Sequence, residues 1–164
     1  MERIGLIKPE YVWLTAGVGK WTNEKAAETL AKRAARIERF TIVNVARLLD
    51  SYFSVVDEAE FMQKSSNSKY AYMYGAVIQA PKDECLYGDI SLISTEDWCR
   101  IIYSTNNGTK KSTPFSRREI MTDFESENES ISPDPLTLSV DIGDTAPNYY
   151  YSMVLAAMII GETQ

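Results

Sequence analysis

The chain of 164 residues contains no histidine, which excludes several common kinds of catalytic site. A Ser-His-Asp triad, a Cys-His pair and a histidine-ligated metal all need an imidazole. Acid–base chemistry would therefore depend on carboxylates, lysines or tyrosines. The candidates are Asp83, Glu84, Lys20, Tyr70, Tyr72, Tyr74 and Tyr149–Tyr151. Tyrosines most often pack at half-buried surfaces, so their number alone does not indicate catalysis.

The two cysteines, Cys85 and Cys99, form no CxxC pair. The first residues, Met1–Ile4, lack the apolar core of an export signal. A disulfide is therefore not expected, and both cysteines are interpreted as small apolar side chains. No metal site is predicted.

Net charge and hydropathy narrow the possible partners and the location. The formal charge of −6 argues against a nucleic-acid partner, because phosphate binding requires clustered cations. The longest apolar run lies near Met153–Ile160, well short of the roughly 18 residues that indicate a membrane span. These features predict a cytoplasmic protein without a membrane segment.

The N-terminal third predicts a strand, a helix and a second strand. Tyr11–Thr15 is an aromatic and β-branched run typical of a strand, and Ala16–Lys20 is predicted to be a glycine turn. Thr22 is the expected N-cap of a helix of about 14 residues, with Glu24 in its first turn. A second strand is predicted over Phe40–Val45.

The remainder predicts several more strands and a final helix. Residues 48–62 show no clear periodicity, and the segment at about 106–135 is predicted to be a flexible loop. Strands are predicted over Tyr72–Gln79, Asp89–Ser94, Trp98–Ser104 and Leu136–Ile142. The apolar stretch Tyr149–Ile160 is predicted to be a helix that is buried on more than one side and contributes subunit contacts. This order indicates one layered α/β or α+β domain spanning residues 1–164.

Two motifs in the N-terminal third resemble the pyruvoyl-dependent arginine decarboxylases. The first is the sequence Leu14–Gly19, which reads L-T-A-G-V-G. The second follows about twenty residues later over Ile37–Val45 and reads I-E-R-F-T-I-V-N-V. The resemblance covers residues 11–49 well and continues more loosely through Tyr72–Leu92 and into the predicted final helix.

The resemblance implies a fold, an assembly and a chemistry. The fold is a four-layer αββα sandwich that assembles as trimers, sometimes paired into hexamers. Each proenzyme cleaves itself before a serine just after the second strand and converts this serine into a pyruvoyl group, which acts as the electron sink for arginine decarboxylation in polyamine metabolism. A glutamate donates the proton, and an acidic residue near the end of the first helix binds the guanidinium.

Transferred to this sequence, the pattern loses two of its chemical groups. Ala46 and Arg47 occupy the positions of the family's paired hydroxyl residues, and neither has a hydroxyl that could form pyruvoyl. Ala34 stands at the guanidinium-binding position, where a carboxylate clamp is required. The proton-donor glutamate corresponds best to Glu84.

Three hypotheses follow. The leading one is a non-processing lyase homologue, without cofactor, which acts as a subunit or binds a small amino-acid-like ligand. It would form a homotrimer or assemble with an active paralogue, and Arg47 would favour an anionic ligand.

The alternative is an active pyruvoyl-dependent decarboxylase that processes itself at Ser51 or Ser54 and acts on an amino acid other than arginine. The third is a different enzyme on the same scaffold, which would use Glu84, Asp83, Lys20 or a tyrosine.

Overall fold

The computed structural model describes residues 3–80, 86–94, 98–107, 136–143 and 145–164. Within these ranges the chain has a mixed α+β fold built mostly of strands. Its elements are β1 (Arg3–Trp21), α1 (Glu24–Ala34), β2 (Ile42–Leu48), β3 (Ser54–Val55), α2 (Glu58–Lys64), β4 (Ala71–Gln79), β5 (Leu86–Ser94), β6 (Cys99–Asn107), β7 (Leu136–Ile142) and β8 (Tyr150–Thr163).

The first strand is much longer than predicted. β1 extends on both sides of Tyr11–Thr15, and the predicted turn at Ala16–Lys20 is wrong because this segment continues the strand. The glycines serve a different purpose there. A Cβ atom on Gly17 or Gly19 would collide with the backbone of α1, so glycine allows the helix to lie directly on the strand.

Helix α1 is shorter than predicted and begins one residue later. Its N-cap is Asn23 rather than Thr22, because the Asn23 side chain accepts a 3.1 Å hydrogen bond from the backbone N–H of Ala26. The helix has 11 residues and ends at Ala34. Two residues later Arg36 adopts a left-handed conformation with φ of 64°, which turns the chain towards β2.

The segment without periodicity contains β3 and α2. The side chain of Asp57 caps α2 by accepting a hydrogen bond from the backbone of Glu60 at 2.8 Å. Phe61 is fully buried and contacts the rings of Trp13 and Phe40, with centroids 5.5 and 5.9 Å away. One large aromatic side chain therefore anchors this short helix. A single buried residue is not enough to produce a periodic apolar pattern in the sequence.

The predicted final helix over Tyr149–Ile160 is wrong, because this segment is strand β8. β8 lies between β1 and β4 and pairs antiparallel with both. The residues from Met153 to Ile159 are at most 1% exposed, since one face of β8 contacts the α1 layer and the other faces the second sheet. A strand buried on both faces has the same uninterrupted apolar run as a buried helix. The subunit contacts inferred from an all-apolar helix therefore lose their basis.

The first sheet has the strand order β2-β4-β8-β1-β3, and β2 also pairs with β1. β2 pairs in parallel with the start of β4 as far as the register Asn44–Met73. It then continues along the start of β1, where Leu48 lies opposite Ile7. Strands β1, β8, β4 and β2 thus form a closed ring of pairings. No described strand covers the edge of β4 beyond Met73.

The second sheet is antiparallel, with the order β6-β5-β7. The four strands predicted over Tyr72–Gln79, Asp89–Ser94, Trp98–Ser104 and Leu136–Ile142 are confirmed as β4, β5, β6 and β7, and β5 starts three residues earlier than predicted. The predicted loop at about 106–135 lies, apart from the last two residues of β6, outside the described residues.

Two hydrophobic cores order the described elements into layers. Leu14, Ile90 and Leu155 belong to the core between the two sheets. Ala31 and Val154 belong to the core between the first sheet and the helices. The described part of the chain thus stacks helices, first sheet and second sheet in that order. Neither of its helices has the length and apolar character needed to cross a lipid bilayer.

Candidate functional site

A cavity of about 470 Å³ lies between α1 and the part of β4 that β2 has left. Its volume falls within the range of small-molecule sites. The lining comes from four segments: α1, the turn after it, the start of β2 and the middle of β4. The lining residues are Glu28, Lys32, Ile37, Glu38, Phe40, Ile42, Asn44, Met73, Gly75, Ala76 and Val77. We refer to it as the β4 cavity.

The wall of the β4 cavity is bare backbone at Gly75. This residue has a φ of +155°, and a Cβ atom there would collide with the carbonyl oxygen of Leu155 in β8. Only glycine fits this position without strain. Between Met73 and Val77, Gly75 therefore contributes backbone and no side chain to the lining.

Charged side chains of both signs stand at the rim of the β4 cavity. Lys32 Nζ lies 3.7 Å from Glu28 Oε1, one helical turn apart on α1. Glu38 accepts two hydrogen bonds from Arg33, at 2.7 Å from Nε and 2.9 Å from Nη2. The rim thus offers an ammonium group and carboxylates above a mostly apolar floor.

The Arg33–Glu38 pair changes the proton affinity of both groups. The hydrogen bonds from Arg33 lower the pKa of the Glu38 carboxyl below its ordinary value. The same hydrogen bonds raise the pKa of the Arg33 guanidinium. The ion pair therefore favours the ionised form of Glu38 and holds the Arg33 guanidinium beside this lining residue.

Ala46 and Arg47 lie near the end of β2, on opposite faces of this strand. Ala46 is half-buried and shares its face with Ile42 and Asn44, which line the β4 cavity. Arg47 is exposed, lies opposite Leu6 of β1 and is not among the lining residues. The structure thus places Ala46, but not Arg47, on the cavity side of β2.

Ala34 lies apart from these residues, at the end of α1. It is exposed and does not line the β4 cavity. Its backbone lies against Gly17 of β1. The structure therefore does not bring the predicted guanidinium position and the predicted cofactor position into one pocket of the described residues.

The two alternative processing serines have different surroundings. Ser51 forms an isolated β-bridge with Cys99, whose backbone N–H donates a 2.9 Å hydrogen bond to the Ser51 carbonyl oxygen. The Ser51 hydroxyl donates a 3.3 Å hydrogen bond to the carbonyl oxygen of Leu49. Ser54 is exposed in β3 and lines a second cavity of about 430 Å³. Lys8, Pro9, Glu10, Tyr11, Tyr52, Phe53 and Glu162 line this second cavity as well.

Of the other predicted acid–base groups, Glu84 and Asp83 lie outside the described residues. Lys20 is exposed, and its ammonium lies 4.3 Å from the ring centroid of Tyr149. Tyr74 packs edge-on against Tyr103 at 5.6 Å, and burial, followed by the nearby Tyr103, raises the pKa of its hydroxyl. No group of three potential metal ligands occurs in the part of the chain that the structure describes.

Sequence reasoning missed Glu28, Lys32, Glu38 and Gly75 as lining residues. Glu28 and Lys32 have the i,i+4 spacing of an ordinary surface ion pair, which gives no sign of a cavity. Gly75 lies within a predicted strand, where an isolated glycine indicates a close backbone approach. That signal was available in the sequence.

Comparison with known proteins does not assign this site. No protein-family model matches the chain, and no curated protein is significantly similar to it.

Proposed function

We propose that this chain is a pyruvoyl-dependent arginine decarboxylase-like protein that does not process itself and has no arginine decarboxylase activity. In this proposal it binds a small amino-acid-like molecule or acts as a subunit, in a homotrimer or together with an active paralogue. The proposal includes the four-layer αββα sandwich, of which the described helices and two sheets would be three layers.

The missing hydroxyl at Ala46 and Arg47 carries the proposal. Self-processing begins when a side-chain oxygen attacks the preceding carbonyl carbon and the peptide C–N bond breaks, which leaves an ester. A methyl group and a guanidinium cannot make that attack. Ala46 and Arg47 also lie in a regular strand, and Arg47 is in register with Leu6 of β1.

The β4 cavity supports the ligand-binding part of the proposal. An amino acid carries an ammonium and a carboxylate, and the rim presents the carboxylate of Glu28 beside the ammonium of Lys32. The floor at Met73 and Val77 is apolar, which suits an apolar side chain. Ala46 adds no group that reacts with a bound amine.

One observation favours the alternative of a displaced processing serine. Ser54 lines the second cavity, to which Lys8, Glu10 and Glu162 also contribute. Self-cleaving sites commonly hold the scissile residue in a strained conformation. Among the described residues, Arg36 is the non-glycine residue with positive φ, and neither Ser51 nor Ser54 has this form of strain.

The mass of the freshly purified chain tests the proposal. We expect one species near 18.5 kDa. Two fragments, one of which has a ketone in place of its N-terminal amine, would refute it. In that case Ser51→Ala and Ser54→Ala, measured separately, would identify the processing serine.

Calorimetric titration with a panel of amino acids tests the ligand-binding part. Binding that Lys32→Met weakens and Lys25→Met leaves unchanged is the expected result, because Lys25 lies on α1 but does not line the cavity. If both variants lose affinity equally, or if the unprocessed chain binds none of the amino acids, the ligand-binding part is refuted and only the subunit role remains.

A further inference from the structure

A small pocket of about 180 Å³ lies at the end of α1, and every side chain that lines it is charged. We refer to it as the arginine pocket, and its lining residues are Arg33, Arg36, Glu38, Arg39 and Glu58. Three guanidinium groups against two carboxylates leave one positive charge in excess, although the chain as a whole has a formal net charge of −6. Sites for whole small molecules measure roughly 300–1,000 Å³. The arginine pocket therefore has room for one functional group of a ligand.

Most N–H groups of the three arginines remain available to such a group. Arg36 Nε donates to Glu58 Oε1 at 2.6 Å, and Arg39 Nη2 reaches the same oxygen at 3.5 Å. A guanidinium has five N–H donors, and the hydrogen bonds to Glu38 and Glu58 use at most two of them in each arginine. The three arginine side chains are also 62%, 67% and 56% exposed, in chain order. The unused donors are therefore accessible to a ligand from solvent.

The backbone holds Arg36 at the arginine pocket at a cost in stability. The N–H of Arg36 donates to the Arg33 carbonyl at 3.0 Å, and the N–H of Ile37 donates to the Lys32 carbonyl at 2.9 Å. These two bonds form a Schellman motif, whose left-handed position is usually glycine. A side chain in this conformation is strained, and an exposed ion pair such as Arg36–Glu58 contributes little in return. Strained residues concentrate at functional sites, which indicates a role for Arg36 beyond the ion pair.

Phosphate fits the arginine pocket better than a carboxylate does. A carboxylate has two oxygens and is matched by a single guanidinium fork, as in the Arg33–Glu38 pair. A phosphate monoester carries a charge of about −1.5 to −2 at pH 7 and three strong acceptor oxygens. Three guanidinium groups around one pocket supply a donor group for each of these oxygens. The pocket shares Glu38 with the β4 cavity, so the remainder of a small molecule has space beside it.

We infer that the arginine pocket binds the phosphate group of a small phosphate monoester, through the N–H groups of Arg33, Arg36 and Arg39 that the two carboxylates leave unused. Glu58 competes with this ligand, because Arg36 and Arg39 share one of its oxygens. Glu38 keeps the Arg33 guanidinium at the pocket through its two hydrogen bonds. The inference does not depend on whether the chain processes itself or on whether the β4 cavity binds an amino acid.

NMR titration with inorganic phosphate, at constant pH and an ionic strength of about 0.15 M, tests the inference. We expect saturable shifts of the Nε–Hε signals of the three arginines. Arg36→Gly should weaken binding by about tenfold or more, because charge-assisted hydrogen bonds are lost. This variant also relieves the backbone strain, so it should fold at least as stably as the parent chain. Arg47→Gln removes an exposed arginine of β2 outside the pocket and should leave the dissociation constant unchanged.

Glu58→Gln separates a phosphate site from a purely structural ion pair. Loss of the competing carboxylate should tighten phosphate binding, whereas Glu60→Gln on the same helix, whose side chain pairs with Lys64, should not change it. Weaker or unchanged binding in Glu58→Gln, acetate binding as tight as that of phosphate, or equal effects of Arg36→Gly and Arg47→Gln would overturn the inference. Tighter binding of a phosphoserine peptide than of free phosphoserine would overturn the assignment to a small molecule.

Discussion

The hydroxyl of Thr15 in β1 donates a 2.6 Å hydrogen bond to the carbonyl oxygen of Ala35, the C-cap of α1, and both residues are buried. A helix leaves its last carbonyls without partners, and here a strand residue twenty positions earlier satisfies one of them. The bond fixes the end of α1 over the sheet.

Thr15→Val should therefore destabilise the protein, since it keeps the shape and leaves the Ala35 carbonyl without this donor. We expect a loss of about 1–3 kcal/mol in the free energy of unfolding, measured by urea denaturation. Thr29→Val is the matched control, because the Thr29 hydroxyl bonds a helix carbonyl at the exposed surface. It should change stability by less than about 0.5 kcal/mol. Equal effects of both variants would contradict a specific role for the buried bond.

Gly19→Ala should be strongly destabilising. The added methyl group would meet the backbone of Ala27 and Ala31, which cannot move without shifting α1. Overpacking of this kind costs about 1–3 kcal/mol or more. Gly5→Ala is the control in the same strand, because nothing lies within 4 Å of the added atom. Should thermal unfolding show the two variants to be alike, α1 would not lie directly on β1.

The Arg33–Glu38 pair predicts a dependence on acidic pH. The pKa of Glu38 is lowered in the folded protein, so its contribution to stability is present above its ordinary value of 4.5 and is lost as the pH falls through the folded pKa. Carboxyl-detected NMR titration should place the midpoint of Glu38 below 4.5 and move it upward in Arg33→Gln. Arg36→Gln, whose parent side chain binds Glu58, should leave it in place.

Tyr74 predicts a dependence on alkaline pH. Burial raises its pKa above the ordinary value of 10.0, so the unfolded chain loses this proton first and stability falls as the pH rises past 10. Tyr74→Phe should flatten that decline in urea denaturation curves. Tyr103→Phe removes only the second cause of the shift and should have a smaller effect. A larger effect of Tyr103→Phe would show that burial is not the main cause.

The alternating strand Leu136–Ile142 was predictable from the sequence, whereas the long, uninterrupted apolar run of β8 was predicted as a helix. Leu136–Ile142 alternates, and its bounds match β7. Met153–Ile160 does not alternate, because α1 and the second sheet bury both faces of β8. The glycines of β1 indicated a turn because local propensity contains no information on the helix packed against them. Only the tertiary contact explains Gly17 and Gly19.

The candidate site was predictable only in part. The Ala46–Arg47 segment was predicted from its motif; Ala46 shares a face of β2 with the lining residues Ile42 and Asn44, but neither Ala46 nor Arg47 is itself among the lining residues. The β4 cavity itself arises because β2 leaves β4 after Asn44 and continues along β1. The order of the strands, and the residue at which β2 separates from β4, depend on the whole sheet. No local sequence pattern around Gly75 or Glu28 therefore predicts the cavity.

The pairing of β1 with β8 also has a consequence for biosynthesis. Trp21 lies opposite Tyr150, so the long ladder joins segments separated by most of the chain. At roughly 5–20 residues per second, a ribosome needs on the order of ten seconds to make the intervening residues. During that time β1 has no β8 to cover it, and its apolar side chains are accessible to chaperones or to other nascent chains. The sheet cannot close until β8 emerges, and this long separation along the chain predicts slow folding.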